Sequence, residues 1–171
     1  MYACGVMKIS IINQSNIWEI QKVASKAWPE AFKDILSEDQ IIYMMEMMYS
    51  NNALNEQINV MEHRYFIVHN NDIPVAYMSI EHNSSGTGKT KIHKAYILPE
   101  HQRMGIGKLL FERAFEEAKT RGDMAVYLNV NKYNERAIAF YNKMGFVLVK
   151  EEVIDIGNGF VMDDYVFEKN L

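Results

Sequence analysis

Two glycines stand immediately before a strongly apolar helical pattern in the segment EHQRMGIGKLLFERA, residues 100–114. Gly105 and Gly107 allow close approach to the backbone N–H groups, because glycine has no Cβ atom. The start of a helix adds a partial positive charge and N–H groups that lack intrahelical acceptors. Together these features predict an anion site, most naturally for phosphate groups. Taken alone, the glycine pair is also consistent with a tight turn that leads into a helix.

A second stretch that could do chemistry is NERAIAFYNKMGF, residues 134–146. Asn134 and Tyr141 are seven residues apart. That spacing is nearly two helical turns, so it predicts that the two polar groups share one stripe of a helix. The alternative is that Asn134 only caps the helix and that Tyr141 only packs against the core.

Two other phosphate-binding motifs are nearly matched, but in each case the sequence lacks a residue that the motif requires. The dinucleotide pattern G-x-G-x-x-G has Leu110 in place of its third glycine. The segment NSSGTGKT, residues 83–90, resembles a P-loop, but Asn83 replaces its first glycine and a strand-like segment follows it. A P-loop requires a helix at that point. We therefore predict neither motif.

The elements that must position these residues follow from apolar periodicity and from capping signals. Strands are predicted at residues 8–12, 91–98, 124–130, 146–154 and 160–168, with a hairpin at 65–82 around Asn70, Asn71 and Asp72. Helices are predicted at residues 16–27, from 37 onward, from the glycine segment to 121, and at 134–144, with Pro29 ending the first. This order predicts one mixed α/β domain over residues 1–171, in which residues 1–7 form a disordered leader.

Composition limits the functional classes. A chain of 171 residues that is 49% hydrophobic suits one domain with a single core. Cys4 is the only cysteine, which excludes an internal disulfide and argues against a catalytic thiol. The net charge of −4 argues against nucleic acid as a partner and weakly favours cationic partners. With no membrane-spanning run and no signal peptide, the sequence predicts a cytoplasmic protein without a membrane partner.

Acidic residues are concentrated toward the C-terminal end. They are Glu151, Glu152, Asp155, Asp163, Asp164 and Glu168. Exposed carboxylates usually form a solvated face, and the functional alternative is the attraction of a cationic acceptor. The histidines show no pair with ligand spacing on a helix, so no metal site is predicted.

The glycine segment and the later helix together resemble the GNAT superfamily of N-acetyltransferases. The cofactor signature of that family, Q/R-x-x-G-x-G/A, is met by Gln102, Arg103, Met104, Gly105, Ile106 and Gly107. The preceding AYILPE and the later N…A..FY.K.GF pattern also match, and the resemblance covers roughly residues 64–168. Within the superfamily the chain is most similar to the branch with the bacterial spermidine/spermine acetyltransferases.

The resemblance implies an α/β (α+β) fold whose central sheet is mixed, mostly antiparallel and twisted, flanked by helices and splayed at the cofactor site. It also implies acetyl-CoA as co-substrate, with the pyrophosphate on the backbone from Arg103 to Lys108. The backbone groups expected to pair with the pantetheine amides are those of Tyr96, Ile97 and Leu98. Asn134 is expected to hydrogen-bond the cofactor, and Tyr141 to protonate the departing thiolate.

His93 stands where some relatives carry a glutamate, and it is the candidate base, with a purely structural role as the alternative. The predicted acceptor is a small amine such as a polyamine or diamine. A protein N-terminus or lysine side chain remains an alternative, as does a non-catalytic acyl-CoA-binding module. Asn134 and Tyr141 argue against the module, because binding alone needs no thiolate acid. A homodimer also stays open.

Overall fold

The computed structural model describes residues 6–171. Cys4 and most of the predicted leader, residues 1–7, lie outside the described residues, and Met7 is already the first residue of a strand. The strands are β1 (Met7–Ile12), β2 (Arg64–Asn70), β3 (Ile73–Glu81), β4 (Lys89–Ile97), β5 (Ala125–Asn131), β6 (Val147–Gly157) and β7 (Phe160–Asn170). The helices are α1 (Ile17–Phe32), α2 (Glu38–Tyr49), α3 (Asn51–Asn59), α4 (Ile106–Arg121) and α5 (Glu135–Lys143). Over the described range, no helix has the length and apolarity needed to cross a bilayer.

The seven strands form one sheet in the order β1-β2-β3-β4-β5-β7-β6. β4 and β5 are parallel, whereas the pairs β1–β2, β2–β3, β5–β7 and β6–β7 are antiparallel. The mixed, mostly antiparallel sheet of the prediction is therefore confirmed. The β4–β5 register runs from Lys89 to Ile92, and β4 itself continues to Ile97.

Contacts along the chain define two compact units. The first unit contains the chain up to Ile80 together with Lys94–Glu112. The second unit contains Glu81–His93 together with Arg113–Leu171. The glycine loop thus belongs to the first unit, and the second unit carries His93 and the whole of α5.

In the first unit, helix α1 runs past the proline that was expected to end it. Pro29 lies inside the helix, which continues to Phe32. A proline removes one backbone hydrogen bond. Burial of the Trp28 and Phe32 side chains, which pack ring on ring at 4.4 Å, compensates for that loss. The second predicted helix corresponds to α2, and Ser50 caps a further helix, α3, that was not predicted.

In the second unit, strand alternation divides β5 into an apolar and a polar face. Val126, Leu128 and Val130 are buried, and the residues between them are polar. Because paired residues point to the same side of a sheet, the register extends this polar side over four strands. We call it the polar face; it carries Lys89, Lys91, His93, Tyr127, Asn129, Asn131, Lys150, Glu152, Asp164 and Glu168.

Candidate active site

The glycine loop, residues 98–105, leads from β4 into α4. Arg103 has φ of 64° and Gly105 has φ of 83°, so both adopt left-handed backbone conformations. A Cβ added at Gly105 would meet no atom within 4 Å, so the backbone conformation, and not crowding, favours glycine there. Changes of backbone hand between neighbouring residues turn N–H groups toward a common concavity that suits anions. The loop geometry is therefore compatible with the predicted phosphate site.

The first turn of α4 presents its N–H groups directly after this loop. Leu109 N–H donates to the Gly105 carbonyl at 3.1 Å, so the N–H groups of the three preceding residues come before the first intrahelical bond. Ile106 is buried and holds this end of the helix in place. Lys108 is exposed, with its Nζ 3.6 Å from the Glu112 carboxylate. A weak pair of this kind leaves the lysine able to turn toward a phosphate.

The end of β4 is braced from within the first unit. Leu98 N–H donates to the Val75 carbonyl at 2.9 Å, and the Leu98 carbonyl accepts from His101 N–H at 2.9 Å. Gln102, the first residue of the cofactor signature, donates from Nε2 to the Ile97 carbonyl at 3.3 Å. This glutamine therefore fixes the loop against the strand. The N–H group of Leu98 and one lone pair of its carbonyl oxygen are thus already used. A pantetheine amide can hydrogen-bond this residue only at the second lone pair of that oxygen.

The side chain of Tyr96 belongs to an aromatic cluster in the first unit. Its ring centroid is 5.8 Å from that of Tyr77 and 6.3 Å from that of Phe32. The Tyr77 hydroxyl shares a 2.6 Å hydrogen bond with the hydroxyl of Tyr49. Burial raises the pKa values of both Tyr49 and Tyr77, so the pair stays protonated and uncharged at neutral pH.

A buried lysine that sequence reasoning missed lies in the same strand. Lys94 Nζ donates to the Tyr65 hydroxyl at 3.0 Å and to Gln57 Oε1, and it lies 5.6 Å from the centre of the Tyr49 ring. Burial lowers the pKa of Lys94 to about 7. The available signal was strand alternation, since Lys94 follows the buried Ile92 at a spacing of two.

Helix α5 carries the two polar residues of the second predicted stretch. Asn134 Oδ1 accepts from Ala137 N–H at 3.2 Å, so this residue is the N-cap. A hydrogen bond from Asn134 to a cofactor would therefore use Nδ2. The ring of Tyr141 is packed 6.0 Å from Phe146 and 6.4 Å from Phe167, between centroids. Burial raises the pKa of Tyr141 to about 12, so its hydroxyl keeps its proton at neutral pH.

His93 is part of a hydrogen-bonded chain of side chains in the second unit. Its Nε2 is 2.8 Å from Glu81 Oε2. The same oxygen accepts from Ser84 Oγ at 2.9 Å, and Ser84 Oγ accepts from the Tyr127 hydroxyl at 3.0 Å. Sequence reasoning missed Glu81, because only the pairing of the end of β3 with β4 brings it to the histidine. A carboxylate beside one ring nitrogen orients the imidazole and favours the tautomer that carries its proton on that nitrogen.

The model of a protein family described as "Acetyltransferase (GNAT) family" matches residues 17–146. The chain therefore belongs to the GNAT acetyltransferase family. The predicted fold and the predicted class of enzyme, an acetyl-CoA-dependent N-acetyltransferase, are confirmed.

Solved structures agree with this fold over nearly the whole chain. The PaiA N-acetyltransferase from Thermoplasma acidophilum, in complex with coenzyme A, is 21% identical, with coverage of 97% of this chain and 99% of that chain and a TM-score of 0.80. The ribosomal-protein-S18-alanine N-acetyltransferase from Escherichia coli is 16% identical, with coverage of 96% and 94% and a TM-score of 0.72. Mutant forms of the spermidine/spermine N-acetyltransferase SpeG from Vibrio cholerae are 18% identical, with coverage of 96% and 93% and a TM-score of 0.67.

Proposed function

We propose that this enzyme transfers the acetyl group of acetyl-CoA to a primary amine of a small molecule, such as a polyamine or diamine, by direct attack of the amine on the thioester. The observation that carries the proposal is the composition of the polar face. It combines a histidine base candidate with carboxylates, and a polycation needs both a proton acceptor and counter-charges. SpeG, one of the structural neighbours, is a spermidine/spermine N-acetyltransferase, and this similarity supports a polyamine as the acceptor.

The groups that bind the co-substrate in this proposal lie mainly in the glycine loop and the first turn of α4. The pyrophosphate is assigned to the backbone N–H groups from Arg103 to Lys108, with both of these side chains adding positive charge. Backbone groups of Tyr96–Leu98 are assigned to the pantetheine amides, and Asn134 Nδ2 to a further hydrogen bond. The fit rests on the left-handed backbone at Arg103 and Gly105, which opens this side of the loop to a ligand.

His93 is assigned the role of base. An alkyl amine reaches the enzyme protonated, since its pKa resembles that of lysine at about 10.4, and only the neutral amine attacks a thioester. The imidazole takes the proton from the amine directly or through one water molecule, while the 2.8 Å contact between Nε2 and Glu81 Oε2 orients the ring. Glu81 holds the ring and is in turn held by Ser84, so it acts as a positioning residue.

Tyr141 is assigned the role of stabilising the leaving group, the thiolate of CoA. Acetyl-CoA supplies an activated thioester, and the thiolate that departs from it has a conjugate-acid pKa near that of cysteine, about 8.5. A tyrosine whose pKa is about 12 holds its proton more tightly than this thiol does. Tyr141 therefore stabilises the thiolate chiefly as a hydrogen-bond donor, and full transfer of its proton is not required.

A protein N-terminus is the second candidate acceptor, favoured by the similarity to the ribosomal-protein-S18-alanine N-acetyltransferase. The deciding experiment follows thiol release from acetyl-CoA with a panel of diamines, polyamines, monoamines and peptides with free N-termini. Efficient turnover of polyamines or diamines supports the proposal. Inert polyamines together with an efficiently acetylated peptide N-terminus would replace it by the second candidate.

A further inference from the structure

Two carboxylates lie opposite each other on neighbouring strands of the polar face. Glu152 of β6 is the direct register partner of Asp164 of β7. Like charges placed directly opposite in a sheet repel and lower its stability. Asn129 of β5 lies beside them and donates from Nδ2 to Glu152 Oε1 at 2.5 Å. Lys150 compensates the charge of Glu152, so the cost of the arrangement falls mainly on the Asp164 carboxylate.

Asp164 is the unusual member of this cluster. The residue is only 5% exposed, and no hydrogen-bond partner for Oδ1 is found in the described part of the chain. A buried charged oxygen without a partner is expensive, because it has lost its hydration and gained nothing in return. Burial raises the pKa of Asp164 to about 6; a hydrogen bond from the Asn129 side chain opposes the rise, and the nearby Glu152 and Asp163 charges add to it. At neutral pH the carboxyl group is still mostly ionised.

The neighbouring cations of the second unit make their close contacts with groups other than Asp164. Lys150 Nζ lies 2.7 Å from Glu152 Oε2, so it pairs with the outer oxygen of the glutamate. Lys91 Nζ lies over the Tyr127 ring, 5.8 Å from its centroid. Neither of these two contacts gives the Asp164 carboxylate a salt bridge, and the charge of Lys91 acts on it only as a weaker electrostatic influence.

We propose that Asp164, Glu152 and Asn129 form a binding site for an organic ammonium group, namely the distal charge of the acceptor. The inference rests on the proposed function, since it names the part of the acceptor that these residues recognise. A primary ammonium has three N–H donors, and the two carboxylates of the cluster offer acceptor oxygens for them, while Asn129 Nδ2 holds the Glu152 carboxylate in place. Charge-assisted hydrogen bonds of this kind are the strong ones.

The location suits a substrate that is held at one end and acetylated at the other. On β5, Asn129 and Tyr127 are two residues apart and so point to the same side of the sheet. Tyr127 is the register partner of Lys91 on β4, and His93 follows Lys91 by two residues on that same side. His93 and Asp164 therefore share the polar face, two strand spacings apart, which is on the order of 10 Å. An acceptor with two separated amines can place one nitrogen near the histidine and the other between the carboxylates.

The test compares two acceptors that differ only in the distal charge, α,ω-diaminooctane and octylamine. Asp164→Asn keeps the shape of the side chain and removes its charge. We expect the KM for diaminooctane to rise about 10-fold or more, the loss typical of a charged hydrogen bond. The KM for octylamine should stay within about twofold. Asp155→Asn is the matched control, because it removes the same charge from an exposed position of β6 and should leave both KM values unchanged.

Glu152→Gln is the second variant and should show the same selective loss if Asp164→Asn does not fold. Equal changes for both amines, or no change for either, would overturn the ammonium site while leaving the acetyltransfer proposal standing. Failure of the proposed function is recognised separately, as absence of turnover of both amines by the parent enzyme. In that case, calorimetric titration of diaminooctane still decides: binding by the parent that Asp164→Asn abolishes supports the site, and no binding refutes it. Binding of magnesium chloride in preference to the diamine, lost in Asp164→Asn, would also refute it by assigning the cluster to a metal.

Discussion

Replacing Lys94 by methionine should stabilise the protein at neutral pH and remove part of its pH dependence. The lysine is buried with the Tyr65 hydroxyl, the Gln57 amide and the Tyr49 ring around its Nζ, and none of these partners is an anion at neutral pH. Methionine fills a similar volume without a charge. The 2.6 Å hydrogen bond from the Tyr65 hydroxyl to Gln57 Oε1 can remain in the variant, so no new buried polar atom is left alone.

The magnitude follows from the pKa of Lys94, which burial lowers from 10.5 to about 7. Each pKa unit corresponds to about 1.4 kcal/mol, so the full penalty for charging this lysine in the folded state is roughly 5 kcal/mol. Between pH 7 and 10.5 the unfolded chain binds more protons at this site than the folded chain does. The free energy of unfolding of the parent therefore rises with pH across this window, by up to about 1.4 kcal/mol per pH unit. Below about pH 7 both states are protonated and the penalty is constant.

Urea unfolding at several pH values between about 7.5 and 9.5 measures this effect. The stability advantage of Lys94→Met over the parent should shrink by about 1.4 kcal/mol per pH unit as the pH rises. Lys119→Met is the matched control, because Lys119 is exposed on α4 and its removal should leave the parent's pH dependence intact. Parallel curves for the parent and Lys94→Met would refute the reasoning, since they would show that Lys94 does not titrate at a lowered pKa in the folded protein.

Three further predictions concern the catalytic assignments. Gly105→Glu should abolish CoA binding in calorimetry, because it places negative charge where the diphosphate is assigned. Gly105→Ala is the control for the backbone strain that any side chain meets at a φ of 83°. Equal loss of binding in both variants would mean that strain alone causes the loss. Tyr141→Phe should lower turnover on the order of 10²-fold with CoA affinity nearly unchanged, and turnover within about twofold of the parent would mean that the tyrosine only packs. His93→Ala should lower kcat/KM most below about pH 8, where the amine is hardest to deprotonate, and Glu81→Gln should give a smaller loss of the same kind; a uniform effect across the pH profile would remove His93 as the base.

The sequence by itself determined the features that depend on neighbours along the chain. The hairpin turn at Asn71 and Asp72, the helix after the glycine loop and the cap at Asn134 were all readable, because turns, helix periodicity and capping act over a few residues. The cofactor signature was readable for the same reason, since one loop and one helix start build it. Pro29 shows the limit, because tertiary burial of Trp28 and Phe32 outweighed the local helix-stop signal.

Only the tertiary structure decided which residues meet across strands. Glu81 is twelve residues from His93 in the chain, and Glu152 is twelve from Asp164, yet each pair is in contact or in direct register. Strand pairing depends on a register that local propensity does not encode, and a shift of one residue would send every side chain to the opposite face. The burial that lowers the pKa of Lys94 and raises that of Asp164 is likewise set by elements distant in sequence. The sequence therefore identified the family and predicted the cofactor loop, while the tertiary structure decided the partner of the base candidate and the carboxylates proposed to bind the acceptor.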